Sequence, residues 1–348
     1  MKTIRLFLNL QCSKIMHLAL AMLLFTPHTL FVSCGKGETD FTGDENPQVE
    51  VVFQIGDGMT TKIPTPEKEL DYVDVAIFVF DAKTGDIVES GAWAAGETPR
   101  ISLSPSTTYH WWAVANIPEG LLEESWTWKE STFTTQGEAR LTDSGAQRLT
   151  MFAFGEVTTP ATGAKQVEVG LRRYCCKVSV GTIYIAFKSI YATPKTVSLG
   201  RVVLINAVGN VPYSGTPTEG DLWYNLGKPT VNPASPEGTM TYADYGGQAF
   251  GPDQSRKASC SLYAMPNPLK EGVPTRMSIE LIIDGKPYWY PATLPAMVCN
   301  KHYLMESMVV RGPGSSDPDI PIQEDEVVFH VSVKPWGEPV ETIIDFGN

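Results

Sequence analysis

Three histidines are the first residues to consider for chemistry, because an imidazole can act as a general base or bind a metal near neutral pH. His110, His302 and His330 each lie in a segment with the composition of a strand, and none is close to another in the sequence. A lone histidine on a strand is more often a packed or surface residue than a base or a ligand. The sequence also lacks the motifs of zinc proteases, serine hydrolases and nucleotide-binding loops. We therefore expect no catalytic residue and no cofactor.

Acidic residues offer two further candidates. The loop 315–326 contains five Asp and Glu residues and is therefore a candidate calcium site. It lacks the alternating ligands and the glycine of a calcium-binding loop. Glu280 and Asp284 are a second candidate, as a pair of catalytic carboxylates. Asp284 with Gly285, however, is first of all a hairpin-turn signal. We interpret the loop as solvated and the pair as structural, so no metal site is expected.

Tryptophans are candidates for sugar binding, because glycans stack on flat aromatic rings. Most of them stand beside Val, Ile and Ala at strand positions, which favours packing in the core. The candidates are Trp111, Trp112, Trp126, Trp128, Trp223, Trp289 and Trp336.

Strands are the elements that must position all these residues. Short runs of Val, Ile, Thr, Tyr and Trp, bounded by Gly, Pro, Asn and Asp, predict them throughout the chain after residue 48. The first series covers 49–55, 70–81, 107–118, 148–157 and 165–173. After a change of composition at 158–165, a second series covers 173–187, 198–209, 260–268, 275–292, 300–312 and 325–336. We predict an all-β protein with one β-sandwich over 49–168, another over 169–348 and a long loop over 210–258.

The first 33 residues have the layout of an export signal, with basic residues followed by the apolar segment 18–32. The uninterrupted apolar core 18–25 is far shorter than the roughly 20 residues that span a bilayer. Cys34 follows the small residue Ser33, as in bacterial lipoprotein signals, in which the cysteine is acylated. We predict a signal peptide over 1–33 and a palmitate-type lipid on Cys34. An ordinary signal peptide with a chance cysteine is the alternative.

The charge of the mature chain limits its partners. Removing residues 1–33 leaves 24 Lys and Arg against 39 Asp and Glu, a net charge of −15. Nucleic acids and anionic lipid headgroups are therefore poor partners. The segment 34–48 is acidic and poor in large apolar residues, which predicts a solvated tether.

Four cysteines remain beyond the signal and the lipid site. They are Cys175, Cys176, Cys260 and Cys299. Their spacing matches no metal-binding motif, and neighbours on a strand point to opposite faces. We expect buried thiols or one bridge such as Cys260–Cys299, and the sequence does not decide between them.

Taken in order, these segments resemble the fimbrillins of Bacteroidetes, the FimA-like subunits of type V pili. The resemblance covers nearly the whole chain and rests on the order of short motifs. Those motifs are the acylation-type signal, VEVVFQI, TTKIPTPEKELDYVDVAIFVFDAKTGDIV, YHWWAVANIP, MFAFGEV, VEVGLRRYCCKVSV, YAMPNP, NKHYLMESMVVRGPGSSDPDIPI and VSVKPWG. It implies two transthyretin-like β-sandwich domains, export as a surface lipoprotein and assembly into a fimbria by strand exchange.

The resemblance also implies proteolytic processing. In fimbrillins a protease cuts after a basic residue, most often Arg, that follows the first strand. The matching position here is Lys62, followed by Ile63, and no arginine lies between Cys34 and Arg100. Cleavage there would remove the lipid and the first strand, and it would expose unpaired backbone groups along an apolar groove. The displaced strand contributes Val49, Val51, Phe53 and Ile55.

The predicted donor that refills this groove is the C-terminal segment 338–348. Its residues Val340, Thr342, Ile344 and Phe346 fall on one face at a period of two. Adding this strand to a neighbour's sheet gives a head-to-tail contact that propagates a filament. The alternative is that 338–348 forms the last strand of its own sandwich, and alternation alone does not decide.

These expectations define a leading function and its competitors. The leading function is a structural subunit of a cell-surface fimbria that supports adhesion, with other fimbrial subunits as partners. Before processing, acylated Cys34 would attach the chain to the outer membrane. A subunit that is not cut after Lys62 would keep its lipid and serve as an anchor or tip. A surface glycan-binding lipoprotein of a polysaccharide-uptake system is the competing class.

Overall fold

The computed structural model describes most of the chain after residue 46, and residues 46–348 form one compact unit. The described residues are 47–56, 72–118, 120–121, 127–129, 132–134, 138–141, 148–213, 222–229, 240–268, 273–317, 322, 326–336 and 343–345. Nearly all of the regular structure in them is β. Within this part of the chain, no helix is long and apolar enough to cross a bilayer.

The strands of the first half are β1 (Val49–Gly56), β2 (Asp74–Asp81), β3 (Ile87–Ala94), β4 (Arg100–Leu103), β5 (Thr108–Ala115), β6 (Thr127–Lys129), β7 (Thr132–Thr134), β8 (Glu138–Arg140), β9 (Met151–Thr158), β10 (Ala164–Gly170) and β11 (Arg172–Arg173). Those of the second half are β12 (Cys176–Ile185), β13 (Val197–Ile205), β14 (Ala207–Val208), β15 (Asn210–Pro212), β16 (Trp223–Tyr224), β17 (Tyr242–Ala249), β18 (Ser255–Ala264), β19 (Arg276–Ile283), β20 (Lys286–Thr293), β21 (Lys301–Val310), β22 (Val327–Pro335) and β23 (Ile343–Asp345).

Two sheets form the first pair of layers. A three-stranded sheet in the order β10-β1-β4 packs on a five-stranded sheet in the order β11-β9-β5-β2-β3. Their shared core includes Phe53 from the small sheet and Ile77 and Trp111 from the large one. The sandwich-like packing follows from the period of two, which sends alternate side chains of each strand into this core.

A second pair of layers uses the later strands. One sheet has the order β18-β12-β21-β22-β23 and the other has the order β17-β13-β19-β20. Val178, Leu204, Ile279 and Tyr303 are among the buried residues that fill the core between them. The all-β, sandwich-like fold expected from the sequence is thus confirmed.

A third core joins the two pairs of layers. The strand β5 alternates between cores, because Trp111 faces the first core while Trp112 is buried on the opposite face. Trp112 packs there with Tyr213, at 5.5 Å between ring centroids, and in the same cluster as Tyr263 and Trp336. Burial of both faces explains why 107–118 is apolar without alternation.

The two predicted domains and their boundary stay predictions. The strand β10 runs across residue 168, where the boundary is expected, and the next strand, β11, pairs with β9 of the first layers. Because the third core is continuous between the layer pairs, composition alone cannot locate a division there.

The predicted loop 210–258 is wrong over part of its length. It contains β15, β16, all of β17 and the start of β18. The strand β17 has the sequence YADYGGQA and a half-exposed position at the edge of its sheet. Its glycines and polar residues give it a weak apolar alternation, which is why the pattern did not indicate a strand.

Candidate strand-exchange site

The first strand is the centre of a sheet whose other members meet only through it. Along β1, the residues Glu50 to Gly56 pair in parallel with β10, and Val49 to Val52 pair antiparallel with β4. The amide of Phe53 also donates to the carbonyl of Pro99, at 3.0 Å. The backbone of β1 is therefore hydrogen-bonded on both sides.

The inward side chains of β1 are those predicted from its alternation. Val51 and Phe53 are completely buried, and Val49 is nearly so. The ring of Phe53 meets Trp111 edge to face, with 5.8 Å between the centroids. Ile55 is partly buried against the same core. These contacts make β1 an integral part of the first core.

The outward face of β1 carries one ion pair. A carboxylate oxygen of Glu50 lies 2.6 Å from a guanidinium nitrogen of Arg100 on β4. Both side chains are about half exposed. In the register, Glu50 stands opposite Ser102, and Arg100 stands opposite Val52, so the pair crosses the ladder diagonally. Val52 is also buried, at 8% exposure, although it is on the outward face.

Loss of β1 would leave both β4 and β10 without their hydrogen-bonded neighbour. In the described sheet, β10 and β4 are each hydrogen-bonded to β1 and not to each other. Removal would leave unpaired backbone groups on both sides of a slot with the ring of Trp111 in its floor. Such a slot fits one extended strand.

The chain end lies elsewhere in the single chain. Residues Ile343 to Asp345 form β23, which pairs antiparallel with Ser332 to His330 at the edge of the second layers. Of the predicted donor residues, the backbone of Ile344 is in β23, while Val340, Thr342 and Phe346 lie outside the described residues. The described backbone corresponds to the alternative in which the segment ends its own sandwich.

The predicted processing elements fall in the undescribed part. Cys34, Lys62 and Ile63 lie outside the described residues, so lipidation and cleavage stay predictions.

A buried cluster precedes the chain end. Trp336 is buried, stacks on Tyr263 at 5.9 Å, and lies beneath the guanidinium of Arg173 at 4.3 Å. Its amide donates to the carbonyl of Asn300 at 2.9 Å. The sequence did not predict this cluster around Trp336, which is called the Trp336 anchor below. Nothing in the doublet Arg172-Arg173 indicates that one of the two arginines is completely buried.

The candidates for chemistry have structural roles. Asp284 and Gly285 both have positive φ and form the predicted turn between β19 and β20. The carboxylate of Asp284 accepts from the amides of Lys195 and Thr196, and these hydrogen bonds, that of Thr196 first, lower its pKa. Glu280 forms a two-bond ion pair with Arg201, with both distances at 2.6 Å.

Each of the three histidines has its own neighbours in the structure. His302 is 2.9 Å from the hydroxyl of Ser179, and His110 is 3.8 Å from the carboxylate of Glu156. His330 stands opposite Ser307 across β21 and β22. Among the residues described, no cluster of His, Cys, Asp and Glu is arranged to hold a metal.

Core packing is confirmed for four of the tryptophans. Trp111, Trp112, Trp289 and Trp336 are all buried, and the ring of Trp289 is covered by Arg201 at 4.8 Å. A platform for sugar stacking needs exposed rings, so these residues do not provide one.

All four later cysteines are free thiols. Cys260 packs against the second core and Cys299 against the third, so the bridge between them is not formed. Burial raises the pKa of Cys176, Cys260 and Cys299, which keeps these thiols protonated at neutral pH.

Solved structures share this fold. A candidate cell adhesion protein from Bacteroides eggerthii DSM 20697 has a TM-score of 0.61 and 16% identity, over 83% of this chain and 96% of the other. A candidate cell adhesion protein from Parabacteroides distasonis ATCC 8503 has a TM-score of 0.53 and 15% identity, over 85% of this chain and 99% of the other. A fimbrilin from Porphyromonas gingivalis W83 has a TM-score of 0.54 and 12% identity, over 83% of this chain and 97% of the other. No protein-family model matches the sequence, and no curated protein matches it significantly. These solved structures therefore share the all-β, sandwich-like fold that the sequence predicts.

Proposed function

We propose that this chain is a fimbrillin-type structural subunit of a cell-surface fimbria, assembled by exchange of its first strand and supporting adhesion. The observation that carries the proposal is the position of β1 between β10 and β4, which have no other link to each other in the described sheet. A removable strand at this position converts a closed sheet into an acceptor. The shared fold with a fimbrilin and with candidate adhesion proteins supports the same role.

The energetics favour refilling of the slot. Burial of an aliphatic or aromatic side chain contributes roughly 1.5–3 kcal/mol, and Val49, Val51 and Phe53 are all buried. A chain that loses β1 by cleavage after Lys62 loses these contributions together with the ladder hydrogen bonds. Binding a strand from another molecule restores both, which is the driving force for assembly.

The donor in this proposal is the segment 338–348 of the next subunit. Within the described residues, β23 pairs with β22 through three residues at the edge of its sheet, a position from which a strand can be released without opening the sheet. Donation from one molecule to the next does not close on itself, and a filament results.

The state of the N terminus decides the place of a subunit in the fimbria. An acylated Cys34 holds an uncut chain at the outer membrane, because two or three acyl chains give stable anchoring where one is marginal. Such a chain would be an anchor or a tip. A chain cut after Lys62 would be released into the stalk.

The test uses the full-length chain expressed in its export host. N-terminal sequencing should find Ile63 in polymeric material, and Lys62→Ala should abolish that start while Lys62→Arg preserves it. Deletion of 338–348 should leave a folded monomer and remove the polymer ladder from unheated gels. A ladder that persists without 338–348 would overturn strand donation by the chain end.

A further inference from the structure

The pattern of residues at the chain end resembles that of the first strand. Read in the same direction, Val340-Glu341-Thr342-Ile343-Ile344-Asp345-Phe346 aligns with Val49-Glu50-Val51-Val52-Phe53-Gln54-Ile55. The first two residues are identical, and apolar or β-branched residues match at positions three, four, five and seven. Val167-Glu168-Val169 on β10 also begins this way, but β10 is already the neighbour of β1.

We propose that the segment 340–346 of one subunit replaces β1 of the next in the same direction and in this register, with Glu341 taking the place of Glu50 beside Arg100. This inference rests on the proposed function and adds to it the orientation, the register and the ion pair of the contact. In this register the donor runs parallel to β10 and antiparallel to β4, as β1 does.

The inward positions favour this direction over the reverse. Read forwards, Ile344 enters the site of Phe53, and Thr342 enters that of Val51, which has nearly the same shape. Read backwards, Thr342 would enter the Phe53 site. That site is completely buried and is lined by the ring of Trp111. A threonine there would leave a larger void than the isoleucine of the forward direction, because its side chain fills less of the space of a phenylalanine ring.

The outward residues of the donor also fit the proposed register. In either direction, Ile343 falls on the position of Val52, the one outward residue of β1 whose side chain is buried. Forwards, Glu341 falls opposite Ser102 and diagonal to Arg100, where Glu50 makes its 2.6 Å contact. An acid at this position keeps the guanidinium paired after the original partner has been cleaved away.

The same register predicts an unfilled space. Isoleucine is smaller than phenylalanine, so the donor does not reproduce the edge-to-face contact that Phe53 makes with Trp111. The subunit contact is thereby weaker than the native strand it replaces. Ile344→Phe should restore the ring contact and slow dissociation of the polymer by about two- to tenfold.

Cysteine pairs in the full-length chain test the register directly. Directly opposite residues of neighbouring strands have Cβ atoms roughly 5 Å apart, which suits a disulfide. After assembly and mild oxidation, Ser102→Cys with Glu341→Cys should give a ladder that survives boiling and disappears with reductant. Ser102→Cys with Ile343→Cys reports a register shifted by two residues, and Ser102→Cys with Asp345→Cys reports the reverse direction. Each single variant controls for the native thiols.

The outcomes separate the two proposals. A boiled ladder from the Glu341 pair alone supports the register. Polymers that cross-link through the Ile343 or Asp345 pair instead, or through none of the pairs, overturn it while strand donation stands. A failure of the unsubstituted chain to polymerise, or polymerisation without 338–348, overturns the proposed function itself. As a second readout, Ile344→Phe should slow dissociation while Thr342→Phe hastens it, and the opposite order indicates the reverse direction.

Discussion

The first and the last described strands of this protein share a sequence pattern but not a setting. The strand β1 is hydrogen-bonded on both sides and buries Val51 and Phe53 completely. The strand β23 has one neighbour, β22, and three pairs of residues. The difference shows that two segments with a similar pattern can pair on two edges or, within the described residues, on one. Pairing is therefore set by the site as well as by the segment.

The largest expected effect comes from emptying the core position of β1. In the uncleaved chain, Phe53→Ala should lower the free energy of unfolding by about 3–5 kcal/mol, because it removes a buried ring and leaves a cavity beside Trp111. Denaturant unfolding of the purified full-length protein measures this. A loss below about 1 kcal/mol would mean that β1 is not part of the core and would remove the contrast with β23.

The Trp336 anchor should give a smaller effect. Trp336→Phe should lower the free energy of unfolding by about 1–3 kcal/mol, because the smaller ring loses part of its contact with Tyr263 and Arg173. Assembly should persist, since the segment 338–348 is unchanged. Loss of the polymer in a chain that remains folded would show that the donor and the Trp336 anchor act as one element.

The ion pair of β1 should contribute less again. Glu50→Gln should lower the stability of the uncleaved chain by about 0.2–1 kcal/mol, because both partners are about half exposed. After cleavage this substitution is gone, so polymers made from that variant should match the unsubstituted ones. Glu341→Gln should show the converse, with a normal monomer and a polymer that dissociates about two- to fivefold faster. Dissociation kinetics at low and high salt measure the effect, which should fade as salt rises.

The smallest effect on the single chain is expected at β23. Ile344→Ala should change the unfolding free energy of the uncleaved chain by about 0.5 kcal/mol or less, because the segment pairs with a single edge. The same substitution should weaken the polymer clearly, since the residue would then fill the Phe53 site. Equal losses in the monomer and the polymer would contradict the proposal that Ile344 contributes mainly to the contact between subunits.

Local patterns predicted most of the longer strands and the turn after β19, but neither β17 nor the partners of the strands. Alternation identified the inward residues of β1, and Asp284-Gly285 identified the turn after β19, because both signals lie within a few residues. The parallel partner of β1 is more than a hundred residues away, from Glu50 to Ala164, and no local period encodes such a pairing. The central position of β1 therefore came from the structure, as did the burial of Arg173.

The separation along the chain between β1 and its partners also sets an order of events during synthesis. The first strand emerges first, yet it remains without a complete site until β4 and then β10 have followed it. Residues 340–346 emerge much later than β10. The site between β4 and β10 can thus be filled by β1 before residues 340–346 of the same polypeptide have been made, so these residues do not compete with β1 while the first layers form.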